Sequence, residues 1–318
     1  MEDNSYIQKS KDSINQFIAK HPNGIIILWG ATATGKTGLS LQIANDFPVE
    51  IIGADSRQLF RGMDIGTDKI SHEIRQQIPH HQIDIINPDE HYTAGQRKFD
   101  TEKIIADIQS RNNIALIVGG TGLYIDTIYK NFSMPEVAPN PTIRDELYAK
   151  EEKNPGSLRD ELYSIDPTEA QKHHKNSLRF IVRALEIYHS SGKTKTETFT
   201  AHPPKRPILM LGLWREKDDT NRRINKRIHE MFDEGLVEEV QGLLDQGYSP
   251  DLQSMQGIGY KEVVDYIQGA IDRDKCEELM KRNTHHLAKK QRTWFRRYIA
   301  DAQMNTNPRI TFQTFVLD

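Results

Sequence analysis

Apolar and polar positions follow two periods along the first 130 or so residues of this chain. Largely apolar runs at 25–29 (Ile25-Ile26-Ile27-Leu28-Trp29), 49–53, 83–86 and 114–118 predict buried strands. Between them, apolar residues at helical spacing predict helices over 36–46, 71–77 and 94–110. Such alternation predicts a parallel sheet with helices on both faces. A later run, 208–213, predicts a strand that returns to the same sheet. The stretch between, 135–205, has no strand signal. It opens with Pro135 and Pro141 and predicts helices over 142–153, 157–164, 167–173 and 177–190, with a Pro-Gly turn at 155–156. After the returning strand the chain reads as helical again, over 219–233, 236–246, 259–269 and 274–299. A short amphipathic helix over 5–20, with Ile7, Ile14, Phe17 and Ile18, packs on the core as an add-on. The expected class is α/β: a parallel sheet core flanked by helices, with a helical insertion and a helical C-terminal part. Its parts are an extension (1–23), the first part of the core (24–134), the insertion (135–205) and the completion of the core with the C-terminal helices (206–318).

Composition narrows the compartment and excludes some chemistry. The 318 residues are 36% hydrophobic, enough for a substantial core, and the formal net charge is only −3. A single cysteine, Cys276, excludes a disulfide framework and a cysteine-clustered zinc site. The polar N-terminus is no signal peptide, and no apolar run is long enough to span a membrane. A soluble, cytoplasmic monomer is expected.

The first candidate site follows the first strand. Gly30-Ala31-Thr32-Ala33-Thr34-Gly35-Lys36-Thr37 fits G-x-x-x-x-G-K-[ST] between a strand and a helix, the setting of a nucleotide-type P-loop. Glycines let backbone N–H groups turn inward on phosphate oxygens, the helix N-terminus and Lys36 add positive charge, and the Thr37 hydroxyl suits magnesium. Asp55 ends the second strand in Gly53-Ala54-Asp55-Ser56-Arg57-Gln58, and ligands of open α/β sheets bind at the carboxyl ends of strands. A carboxylate there can accept a proton from a nucleophile or support magnesium, although an Asx turn or a helix cap also explains it. The fourth strand runs into Gly119-Gly120-Thr121-Gly122, where an ordinary ATPase carries an acid. Asp64 and Asp84 remain candidates for that acid. The glycines imply a close backbone approach.

Positive charge is local. The run 281–298 holds Lys281, Arg282, Lys289, Lys290, Arg292, Arg296 and Arg297 without an acid, interleaved with Trp294, Phe295 and Tyr298. Phosphate backbones need such charge, and aromatic rings can stack on bases, unless these rings pack into the core instead. The insertion adds Arg144, Lys172, His173, His174, Lys175, Arg179 and Arg183. Adjacent histidines on a helix point apart, so neither His173-His174 nor the pairs at 80–81 and 285–286 imply zinc. Met255-Gln256-Gly257-Ile258-Gly259-Tyr260-Lys261 is a glycine-punctuated turn whose amides suit a phosphate or a base edge.

In order along the chain stand GATATGKT, DSRQLFRGMDIGTDK (55–69), PHHQIDI (79–85), VGGTGLY (118–124), RALEIYHSSGKT (183–194), RRINKRIHEMFDEGLVEEV (222–240), QGIGYKE (256–262) and AKKQRTWFR (288–296). With these motifs the chain resembles the bacterial tRNA dimethylallyltransferases, or tRNA isopentenyl transferases, over about residues 24–300. The resemblance implies transfer of a dimethylallyl group from dimethylallyl diphosphate to N6 of the adenosine 3′ of the anticodon, in tRNAs reading codons that begin with U. It implies that the loop 30–37 holds the donor's diphosphate rather than ATP, with Arg223 and a magnesium ion on Thr37. It makes Asp55 the general base and gives Thr121 the orientation of the amine. Contacts with tRNA are implied for Asp55, Ser56, Arg57, Gln58, Thr121, Arg144, Arg179, Arg183, Gln256, Gly257, Ile258, Gly259, Tyr260, Lys261, Thr284, Lys289, Lys290 and Arg292. The insertion would clamp the anticodon stem-loop. Ala31 stands where the family more often has proline, and Phe180 where many members have a basic residue. The zinc finger of eukaryotic members is absent. An adenylate isopentenyltransferase, a small-molecule P-loop kinase and a nucleotide-gated RNA-binding protein are the competing readings.

Overall fold

A computed structural model describes residues 5–134, 137–174 and 176–317. Pro135, at the expected start of the insertion, and the basic candidate Lys175 lie outside the described residues. The elements run α1 (Ser5–Lys20), β1 (Ile25–Gly30), α2 (Lys36–Asp46), β2 (Val49–Ala54), α3 (His72–Gln77), β3 (His80–His81), α4 (Ala94–Ser110), β4 (Ile114–Gly119) and α5 (Gly122–Tyr129). They continue α6 (Pro141–Lys153), α7 (Ser157–Ile165), α8 (Pro167–Gln171), α9 (Leu178–Ser191), α10 (Lys195–Thr198), β5 (Ile208–Arg215), α11 (Lys217–Asp233), α12 (Leu236–Asp245), α13 (Tyr260–Ile267), α14 (Arg273–Gln303) and β6 (Ile310–Leu317).

The chain forms two compact units. One comprises 1–92, 99–125 and 204–318, and the other 93–98 and 126–203. The first holds a parallel sheet in the order β3-β2-β4-β1-β5-β6. β1 and β2 are buried at every position, as strands covered on both faces must be, which is why they read as largely apolar runs. Ile26, Leu28, Leu39, Ile43, Leu116, Leu209 and Leu211 pack one core, and α1 joins it through Ile14 and Phe17. The register sets Ala54 beside Gly119, Trp29 beside Gly119 and Gly30 beside Leu213. All strands being parallel, their carboxyl ends share one ridge. The segments after β1, β2, β4 and β5 therefore emerge together.

Two elements differ from the sequence pattern. The strand expected over 83–86 is instead the two-residue β3, His80–His81, paired with Ile51 and Ile52. Gln82 and Asp84 take left-handed φ values of 60° and 54°, which end the extended run. Asp84 is turned to accept hydrogen bonds from Lys69 and Arg75 at 2.6 Å each. The chain also does not finish in helix. β6, with the pattern Ile-Thr-Phe-Gln-Thr-Phe-Val-Leu, pairs with β5 over its whole length and forms one edge of the sheet.

The second unit is helical. Leu147, Leu158, Leu162, Ala170, Ile181, Val182, Ala184 and Leu185 form its core. Pro141 opens α6 behind the Asn140 cap, a position where the missing N–H of proline costs nothing. Two buried carboxylates brace the helices. Glu186 accepts from Arg144, Arg183 and the Asn140 amide, and Glu169 from Lys172, His173 and Lys195.

Candidate active site

The phosphate loop is held from several directions. Ala33 and Gly35 adopt positive φ, 61° and 96°, so the chain turns tightly before Lys36 opens α2. The Lys36 ammonium donates to the Ala31 carbonyl at 2.7 Å. Its burial pulls it down to about 8, with Arg227 acting in the same sense and the charges of Asp55 and Asp68 opposing. Arg215, at the end of β5, donates to the Thr34 carbonyl at 3.2 Å, and Arg223 on α11 to that of Ala33 at 3.0 Å. One turn on, Arg227 donates to the Thr32 hydroxyl at 2.9 Å and pairs with Asp68 at 2.7 Å. Gln291 of α14 accepts the Thr32 N–H at 2.8 Å. Of the side chains that reach the loop from outside it, only Arg223 was a sequence candidate. Arg227 shares its helical face at i+4, a signal that could have found it; Arg215 and Gln291 carry none.

Asp55 leaves β2 beside this loop. One of its oxygens accepts the Arg57 N–H at 2.8 Å, which is an Asx turn. Thr121 faces it from the end of β4. The Thr121 N–H donates to the Ala54 carbonyl at 3.1 Å, and its hydroxyl accepts from the Ser56 amide at 3.2 Å. The close approach implied by the glycines is to protein. A Cβ on Gly119 would lie 2.1 Å from the Ala54 carbonyl oxygen, and one on Gly120 2.6 Å from Gln291.

The other acids are already committed. Lys69, whose side chain is 1% exposed, pairs with both Asp64 and Asp84, so neither stands open as an ATPase acid. Around them the segment 55–69 is tied down. Gln58 donates to the carbonyls of Thr67 and Asp68, and Arg57 to that of Gln253. Glu239 on α12 accepts the N–H groups of Asp64 and Ile65 at 2.8 Å and of Gly66 at 3.2 Å.

Several expected RNA contacts have other partners. Tyr260 is 1% exposed and donates to Glu239 at 2.6 Å, so it does not face a ligand. The Gly259 N–H donates to Glu262 at 2.8 Å rather than standing open for a phosphate, and Gly257 is buried beside Arg57. Gln256 and Lys261 are exposed, and Ile258 is half-buried. On α14, Thr284 is buried while Lys289 and Lys290 are exposed and Arg292 half-buried. The rings of the basic run do not await bases. Phe295 and Tyr298 are buried, each 5.3 Å from Trp29, and Trp294 lies half-buried under the Arg297 guanidinium at 4.1 Å. Lys281 pairs with Glu277 one turn earlier. Within the helical unit Arg179 is exposed over Phe180, whereas Arg144 and Arg183 are braced on Glu186. His81 faces Glu50, and His285 faces Asn225.

A family model described as IPP transferase matches residues 58–298. The tRNA dimethylallyltransferase of Thermotoga petrophila is 43% identical over 274 residues, which are 86% of this chain and 90% of that protein. That of Geobacter sulfurreducens is also 43% identical, over 278 residues, 86% of this chain and 89% of its own. Among solved structures, the full-length tRNA isopentenylpyrophosphate transferase of Bacillus halodurans is similar with a TM-score of 0.63 and 34% identity, covering 92% of this chain and 90% of that one. A eukaryotic dimethylallyltransferase, seen in crystallographic snapshots acting on tRNA, is similar with a TM-score of 0.75 and 28% identity, covering 92% of this chain and 73% of its own.

Proposed function

The chain belongs to the IPP transferase family, and from that premise we propose how its ridge of loops prenylates tRNA. It is a transferase that modifies tRNA with a dimethylallyl group. The observation that carries the mechanism is the shared ridge. The phosphate loop, Asp55 and Thr121 follow three neighbouring parallel strands, and the charge of Asp55 acts on Lys36.

The donor is dimethylallyl diphosphate, its diphosphate in the loop Gly30–Thr37. The acceptor is N6 of the adenosine 3′ of the anticodon, in tRNAs that read codons beginning with U. That amine is a weak nucleophile because its lone pair is delocalised into the purine. As it attacks the allylic carbon, the carbon–oxygen bond to diphosphate breaks and the N6 proton passes to Asp55. Only one Asp55 oxygen is needed for the Asx turn, so the other can take that proton. Thr121 orients the amine. Lys36, Arg223 and the loop amides hold the negative charge that develops on the leaving diphosphate. The adenine must leave the anticodon-loop stack, at a cost of about a few kcal/mol. Lys289, Lys290, Arg292 and Arg179 supply charge for the RNA backbone.

Magnesium suits this donor set. Among the described residues no group of three or more His, Cys, Asp or Glu side chains could cage a metal, and Thr37 is exposed in the first turn of α2. Magnesium is commonly held by one or two protein oxygens with substrate phosphates. Thr37 and the diphosphate would hold it, and it would neutralise charge on the leaving group.

The test is a transfer assay with magnesium, dimethylallyl diphosphate and unmodified anticodon stem-loop RNA, run in parallel with AMP. Mass spectrometry looks for one added C5H8 unit. Product on the stem-loop and none on AMP is the expected result. Product on AMP alone would make this an adenylate isopentenyltransferase. ATP turnover with no prenylated product would make it a kinase.

A further inference from the structure

α14 touches the loop after β4 along one stripe. Gln291 meets Gly120, Trp294 packs where a Cβ on Gly122 would fall, and the Tyr298 hydroxyl donates to the Gly122 carbonyl at 3.4 Å. Spacings of three and seven residues place these side chains on one face of the helix. Lys289, Lys290 and Arg296 are exposed on the helix, while Arg297 lies over Trp294. One helix therefore carries an outward basic surface and an inward row of contacts to the loop that bears Thr121.

Gln291 does something its neighbours do not. Its side-chain oxygen accepts the Thr32 N–H at 2.8 Å, and its side-chain nitrogen donates to the Gly120 carbonyl at 3.0 Å. Thr32 belongs to the diphosphate loop, and Gly120 precedes the threonine of the acceptor side. A carboxamide offers an acceptor and a donor in one planar group, so it can join an N–H and a C=O in this way. Glycine at 120 is what permits the approach, because a Cβ there would stand 2.6 Å from the Gln291 nitrogen.

We propose that Gln291 is a positioning residue that couples the two substrates: RNA on the outer face of α14 is felt in the diphosphate loop through its carboxamide. This rests on the tRNA-prenylating reading above. Fixing α14 by RNA fixes Gln291, and with it the separation of Thr32 and Gly120. By linkage, diphosphate in the loop must tighten RNA by the same factor that RNA tightens diphosphate.

The experiment measures Kd for inorganic diphosphate with magnesium, with and without anticodon stem-loop RNA, and then the RNA Kd with and without diphosphate. The wild-type protein is expected to show the same tightening, about fivefold or more, in both directions. Gln291→Met keeps the length and loses both hydrogen bonds. It should abolish the coupling and lower kcat about tenfold or more, with an earlier melt from the two lost hydrogen bonds. Gly120→Ala should produce the same loss by displacing Gln291 without altering it, which keeps the test sound should the methionine variant fold poorly. Coupling absent in wild type, or intact in both variants, overturns the proposal while transfer activity stands. A role in folding alone would lower the melting temperature and leave the coupling intact. A wild-type protein that neither binds the stem-loop nor prenylates it overturns the functional reading as well.

Discussion

Replacing Asp55 by asparagine and by alanine separates its two tasks. One of its oxygens holds the Arg57 N–H at 2.8 Å. Asparagine can keep that bond with its carbonyl oxygen, but its amide cannot take a proton from adenine N6. Alanine loses both. Removing a positioned general base lowers the rate about 10²–10⁴-fold, equivalent to about 3–5.5 kcal/mol. Losing a hydrogen bond of this kind costs about 1 kcal/mol of stability. Both variants should therefore lose about 10²–10⁴-fold in single-turnover transfer to the stem-loop, and only Asp55→Ala should also melt earlier. Diphosphate binding should survive in both, because the loop is held by Arg215, Arg223 and Gln291 rather than by Asp55. The assay is quench-flow with mass detection of the prenylated nucleoside. An asparagine variant within tenfold of wild type would refute the general-base role and leave Asp55 as a turn residue.

The helical unit should be acid-sensitive through Glu169. Burial pushes that carboxyl up, but hydrogen bonds from Lys195, His173 and Lys172 outweigh it and hold the group at about 2 against an ordinary 4.5. Its stabilisation, about 3 kcal/mol, is fully present above pH 4.5 and lost as pH falls toward 2. Glu169→Gln should cost about that much at pH 7, and melting curves of the two proteins should converge toward pH 2; a constant gap would contradict the assignment. Glu239→Gln should loosen the segment 64–66 by about 2 kcal/mol in hydrogen exchange. Tyr260 is held well above its usual range by burial and by the Glu239 charge, so in that variant its ultraviolet titration should move to lower pH. Lys289→Ala and Lys290→Ala should each reduce the salt dependence of stem-loop binding by about one unit of log K per log salt; an unchanged slope would remove those side chains from the RNA surface.

The strands and the loop between β1 and α2 were legible because burial on both faces of a parallel sheet favours largely apolar runs, and glycine and lysine at fixed spacing fit a phosphate-type turn. β3 was misread for a local reason. Ile83, Ile85 and Ile86 look like strand, but the backbone at Gln82 and Asp84 turns left-handed so that Asp84 can meet Lys69 and Arg75. β6 is a run of β-branched and aromatic residues that stood ready to be read. Its neighbour is β5, about a hundred residues earlier, and nothing in the local pattern names that partner.

Sequence by itself determined the alternation of elements, the glycine-rich loop after β1, the acid and threonine at the strand ends, and the family. Each is written in neighbouring residues whose spacing has a direct physical consequence. Tertiary structure decided which polar groups are still free to meet a substrate. Tyr260 and Thr284 sit in segments that pointed to RNA, yet folding buries them, and it turns Phe295 and Tyr298 of the basic run onto Trp29. Conversely Arg215, Arg227 and Gln291 stand far from the phosphate loop in the chain and reach it only after the sheet and α14 are assembled. The hydrogen bonds of Arg215 and Gln291, 181 and 259 positions from their partners, leave no local pattern, because packing rather than spacing brings those partners together.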